Sequence, residues 1–158
     1  VTYLMGILVT SIIPLLIMPF AIAVWAPLLD RVHVITFRAI HAWSFVLFAS
    51  LVFLSVQFHL FWLLFVASLA HGIGFGGGVL AWDLGHQHFA PPHRDTQYMS
   101  VHVMLTGIRG VIAPFVGVLL YSALAETDRG AYGFLGSVAL TVVGAVGFVL
   151  LQPRLTPA

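Results

Sequence analysis

Hydrophobic positions gather into five long apolar stretches, roughly 3–28, 37–56, 60–83, 98–123 and 131–151, and short segments between them hold most of the charge. About 20 apolar residues cross the hydrocarbon core of a bilayer as a helix, and each stretch reaches that length. An open strand edge in hydrocarbon would leave backbone groups unpaired, so each stretch is predicted to be helical. The expected fold is therefore all-α, a polytopic transmembrane helix bundle forming one domain over residues 1–158. The connecting segments run from Asp30 to Thr36, from Gln57 to His59, from Leu84 to Gln97 with Pro91, Pro92, Arg94 and Asp95, and from Ala125 to Gly130 with Glu126, Asp128 and Arg129.

Composition supports lipid as the solvent: 61% of the 158 residues are hydrophobic and 7% charged, whereas a soluble domain carries about 25% charged residues. All six basic residues are Arg, and no basic cluster exists that could track a phosphate backbone, so a nucleic-acid partner is excluded. The absence of cysteine excludes disulfides and thiolate metal sites. The chain opens on Val1 in mid-hydrophobic stretch, as a piece of a longer protein would. With five spans, Arg31, Arg38, Arg94 and Arg154 fall on one side of the membrane and Arg129 on the other. The positive-inside rule then predicts a cytoplasmic C-terminus, and the expected location is a bacterial inner (plasma) membrane.

Pro14 and Pro19 predict a bend in the first stretch. Gly72, Gly74, Gly76, Gly77 and Gly78 in the third predict either close helix packing or a hinge. In the last, Gly133, Ser137, Thr141 and Ala145 recur every four residues, the stripe of small side chains typical of helix contacts in lipid.

The candidate chemistry centres on Arg109, a permanent charge in the apolar run from Tyr98 to Leu124. A charge at bilayer depth costs at least roughly 2.5–3.5 kcal/mol, so it faces a protein interior or an aqueous cavity. Tyr98, His102, Thr106 and Arg109 follow spacings of four, four and three and share one helical face. At 1.5 Å per residue, Arg109 lies roughly 17 Å from Tyr98, close to the midplane. Two readings are open: Arg109 meets an anionic substrate group or coupling carboxylate, or it pairs structurally with carbonyls of a neighbouring helix. His71, at similar depth on the third stretch, is expected to share its cavity, as a proton relay or as a neutral hydrogen-bonding residue. His41 and His102 carry the same two readings. His86, His88 and His93 point only weakly to a metal, lacking a clear fourth ligand, and the site assignment contains no metal and no cofactor. Asp83 either pairs with Arg94 or His86 or is a solvated helix end. With no Gly-x-Ser-x-Gly, no Cys nucleophile and no phosphate loop, an enzyme is not expected.

The run Trp82-Asp83-Leu84-Gly85-His86, Phe89-Ala90-Pro91-Pro92 and Tyr98 through Pro114 resembles the last spans of a major facilitator superfamily transporter. Upstream, Ala26-Pro27-Leu28-Leu29-Asp30-Arg31 resembles that family's cytoplasmic loop motif between its eighth and ninth helices, with Ala26 where the family usually has Gly. The resemblance makes the five spans the eighth to twelfth helices of a twelve-helix protein, with the N-terminal helices missing. It implies a solute bound near the midplane between two halves and access alternating by rocking. Under it the chain belongs to a transporter of a small solute, by secondary active transport or uniport. Arg109 would contact substrate or coupling ion, His71, His102, Thr106 and Tyr98 would line the path, and Asp30 and Arg31 would form the cytoplasmic gate. Asp30 is also placed to cap the fourth span, where the helix dipole favours an anion. The alternatives are a non-transporting membrane subunit or assembly factor scaffolding a larger complex, and a haem or pigment protein using His71 or His102.

Overall fold

The structure, a computed structural model, describes residues 3–91, 93–125 and 129–155, the side chains of 153–155 excepted. Pro92, Glu126 and Asp128 of the connecting segments lie outside the described residues. Five helices long and apolar enough to cross a membrane cover Tyr3–Leu29, Val34–Gln57, Leu63–Asp83, Asp95–Ala125 and Gly130–Gln152, the first to fifth spans. No strand occurs among the described residues. The chain is an all-α, multi-pass membrane protein.

The first span passes through a π-helical turn at Leu8–Ile12, where the Ile13 N–H bonds to the carbonyl of Leu8. The next bond in that pattern would come from Pro14, which has no N–H. Ser68 of the third span supplies the missing donor, its hydroxyl lying 2.6 Å from the Val9 carbonyl oxygen. Proline thus breaks the ladder, and a neighbouring helix repairs it. Interhelical bonds of this kind contribute about 0.6 kcal/mol on average and at most roughly 1.7. Ser68→Ala is accordingly expected to lower stability by about 1 kcal/mol in a detergent melt, and an unchanged melt would show the carbonyl satisfied elsewhere.

Glycines place the first and second spans on two sides of the third. A Cβ on Gly72 would sit 2.7 Å from Ile17 Cβ, and one on Gly76 2.7 Å from Ala21 Cβ. Those two glycines, four apart, face the first span. A Cβ on Gly74 would sit 2.6 Å from Ser44 Oγ, and one on Gly77 2.6 Å from His41 Cδ2, so these face the second span. The helix is continuous across all of them, and no glycine has positive φ among the described residues. Of the two readings of the Gly-rich run, close packing is the one observed. Trp25 Nε1 adds a bond to the Ile73 carbonyl at 2.9 Å.

The fifth span lies against the second, with Tyr132 near Phe53 at one end and Phe148 near Arg38 at the other. Ala145 of its small-residue stripe is fully buried. The spans form a row in the order first, third, second, fifth. The fourth stands beside this row, touching the Gly85–His88 turn, the Gly130–Tyr132 turn and part of the fifth span. None of its residues is buried.

The second span starts at Val34 because His33 caps it, Nδ1 accepting the Ile35 N–H at 3.2 Å. The third starts at Leu63, three residues later than hydropathy implies. His59 at φ 55° turns the chain, and Ser55 and Leu60 exchange bonds that hold the turn, N–H to carbonyl at 3.0 Å and hydroxyl to carbonyl at 3.1 Å. The fourth starts earlier than its apolar run, at Asp95, whose charge suits a helix N-terminus. Asp30 does not take that capping place: it is the C-cap residue of the first span.

In the loop beyond the spans, the His33 and His88 rings meet edge-on at 5.1 Å. Burial first, and then the facing His33, push the His88 imidazole below its ordinary value of 6.5. Folding therefore favours neutral His88, so its contribution to stability is complete above about pH 6.5 and is lost as the pH falls below it. His88→Gln should flatten the acid side of the melting-temperature profile; an unaltered profile would contradict this.

A polar cavity shared by four spans

Because the fourth span stands off from the row, two cavities open between them, and Arg38 lines both. The deeper, of about 670 Å³, is lined by Arg38 and His41 of the second span, Trp82 and Asp83 of the third, Arg109 of the fourth and Thr141 of the fifth, closed by Phe45, Phe75 and Phe148. The other, of about 730 Å³, holds Arg38, His86, Tyr98 and His102.

Arg38 is anchored. Its Nη2 donates to the Ala81 carbonyl at 3.2 Å, one of the last carbonyls of the third span, where helix geometry leaves acceptors unpaired and a cation is favoured. Its guanidinium lies 5.6 Å from the centre of the Phe148 ring. A guanidinium has five N–H donors, so most remain for a ligand.

His41 is 2% exposed, stacked on Phe37 at 5.2 Å with Trp25 and Phe45 edge-on. Its ring fits because Gly77 has no side chain. Neither ring nitrogen has a hydrogen-bond partner of ordinary geometry among the described residues, although the Gly74 backbone acts on it. His102 packs edge-on to Trp82 at 4.1 Å, and its Nε2, like Nδ1 of His86, is buried without a hydrogen-bond partner among the described residues.

Arg109 is exposed and lines the deeper cavity with Arg38 and Asp83. Helical side chains lean toward the N-terminal end of their helix, which draws this guanidinium toward the end where Asp83 closes the third span. Tyr98 and His102 reach the second cavity, while Thr106 is half-buried and lines neither. The fourth-span polar face is thus divided between two cavities. His71, expected to share the cavity of Arg109, lines neither of the two cavities that Arg38 lines. His71 stacks on Phe48 at 4.4 Å, and Phe75, one turn farther along the third span, lines the cavity in its place. Asp83 lines the cavity with both arginines. Asp30 and Arg31 lie exposed at the end of the first span. His86, His88 and His93 do not converge on a metal-sized group among the described residues.

Arg38 and His41 are the cavity-lining residues least visible in the sequence. Their signal was spacing: positions 38, 41 and 45 share one face of an otherwise apolar helix. Arg38 sits near the helix end, where an Arg is equally well explained as a topology signal.

Comparison of the chain with protein-family models, with curated proteins and with solved structures finds no match. Fold and site together define a multi-pass helical membrane protein with a basic cavity between its spans.

Proposed function

We propose that the chain is part of a major facilitator-type transporter that moves a small solute across a bacterial inner membrane, with the Arg31 and Arg94 end in the cytoplasm. The observation that carries this reading is that Arg38 and Arg109, from two different spans, line one cavity of about 670 Å³ between the spans. Intramembrane charges in such a setting mark solute and ion pathways, and the volume lies within the roughly 300–1,000 Å³ of small-molecule sites. The loop motif at Asp30-Arg31 and the run from Trp82 to Pro114 support the same reading by resemblance. The bare outer flank of the fourth span is where further helices of such a fold would pack.

That same flank also favours a second reading, a non-transporting subunit whose fourth span docks other membrane proteins. The two separate when the intact protein is purified and reconstituted into liposomes. Counterflow of a small solute is the result expected of a transporter. Absence of flux, together with purification only in stoichiometric company of other membrane subunits, would transfer the case to the scaffold.

A further inference from the structure

We infer that the space between Arg38 and Arg109 is an oxyanion site, taking a carboxylate or phosphate group attached to an apolar body. The inference rests on the transporter reading only for what becomes of the anion; binding itself does not require flux.

The charge around the cavity is unbalanced. Two guanidiniums line it against a single carboxylate, Asp83, and that carboxylate is itself exposed at the end of the third span. Like charges facing a low-dielectric space repel, and an entering anion converts that repulsion into attraction at both. Arg38 is held in advance by the Ala81 carbonyl and the Phe148 ring, so little ordering remains to be done on binding. Guanidinium groups match the two oxygens of a carboxylate or phosphate as a fork, which an ammonium cannot. The rest of the wall sorts what accompanies the anion. Phe45, Phe75 and Phe148 offer rings to an apolar body, and Thr141 adds a hydroxyl oxygen.

Such an oxyanion could reach the cavity on a water-soluble solute or on a lipid headgroup. Intact protein in phosphatidylcholine nanodiscs is therefore titrated with benzoate, with inorganic phosphate and with neutral benzamide, and its melting is compared in nanodiscs that also contain phosphatidic acid. The expected result is saturable binding of benzoate or phosphate but not of benzamide, weakened about tenfold or more in Arg109→Gln, the loss expected when one hydrogen-bonding charge is removed. Arg109→Lys should recover only part of the affinity. Arg38→Gln should behave like Arg109→Gln; because it also removes the Ala81 contact, Arg109→Gln, which breaks no bond of that kind, decides if Arg38→Gln does not fold. Arg109-dependent stabilisation by phosphatidic acid alone would assign the same site to a lipid headgroup. Equal anion binding by wild type and a normally melting Arg109→Gln, or no anion binding in either arm, would overturn the inference. Anion binding without counterflow would uphold this site and overturn the transporter reading; counterflow of a neutral solute indifferent to Arg109→Gln would do the reverse.

Discussion

On the proposed transport function, Arg109→Ala is expected to lower solute uptake by the intact protein about tenfold or more at unchanged expression, because it removes one of two guanidiniums from the cavity shared by the second, third, fourth and fifth spans. The effect should exceed that of Thr106→Ala, whose side chain lines neither cavity. It should also exceed that of His71→Ala, since that ring is engaged with Phe48. Three neighbouring intramembrane polar residues are thereby ranked by where they point rather than by depth. Uptake by Arg109→Ala equal to wild type, measured at equal protein in the membrane, would reduce this Arg to a structural residue.

The largest stability effect is expected at Gly76. A Cβ there would lie 2.7 Å from Ala21 Cβ, 3.0 Å from the Met18 carbonyl oxygen and 3.1 Å from the Ile22 nitrogen. Two of those three atoms are backbone, so no rotamer change relieves the clash and the helices must separate. Overpacking of this kind costs typically about 1–3 kcal/mol, and Gly76→Leu should sit at the upper end or beyond. The control is two residues away. A Cβ on Gly78 would find its nearest neighbour, Phe45 Cζ, at 3.5 Å, an ordinary contact. Gly78→Ala should melt as wild type does, while Gly76→Ala falls by several degrees and Gly76→Leu by more. Equal melting of the Gly76 and Gly78 variants would show that the first and third spans do not meet at these glycines.

The five spans were legible because hydrocarbon leaves the backbone so few choices. The segment ends were less so: the His59 turn and the Asp95 start depend on local hydrogen bonds and on a dipole, which hydropathy does not register. Glycines announced close packing without naming partners. Spacing puts Gly72 and Gly76 on one face and Gly74 and Gly77 on another, but it does not say which helix each face meets. The fourth-span polar face was readable from spacing alone, since an Arg among Leu, Ile and Val has few comfortable surroundings. Its partners were not, because Arg38 stands four residues inside its helix and His41 beside it passes for an ordinary buried imidazole. His71 misled for a physical reason: depth computed from rise per residue ignores which way each side chain leans and how much room an aromatic neighbour takes.

Arg109 is expected to face a polar cavity shared with Arg38 while the opposite side of its helix meets lipid or packed helices. The 158 residues contain no cysteine, so single-cysteine variants of this chain can be read without background from it. Reaction of each with a membrane-impermeant thiosulfonate reagent, in membranes opened to both sides, is the most direct measurement. Arg109→Cys and His102→Cys should react, whereas Val111→Cys and Phe115→Cys should not react. Labelling at Val111 and Phe115 with none at 109 and 102 would contradict the account.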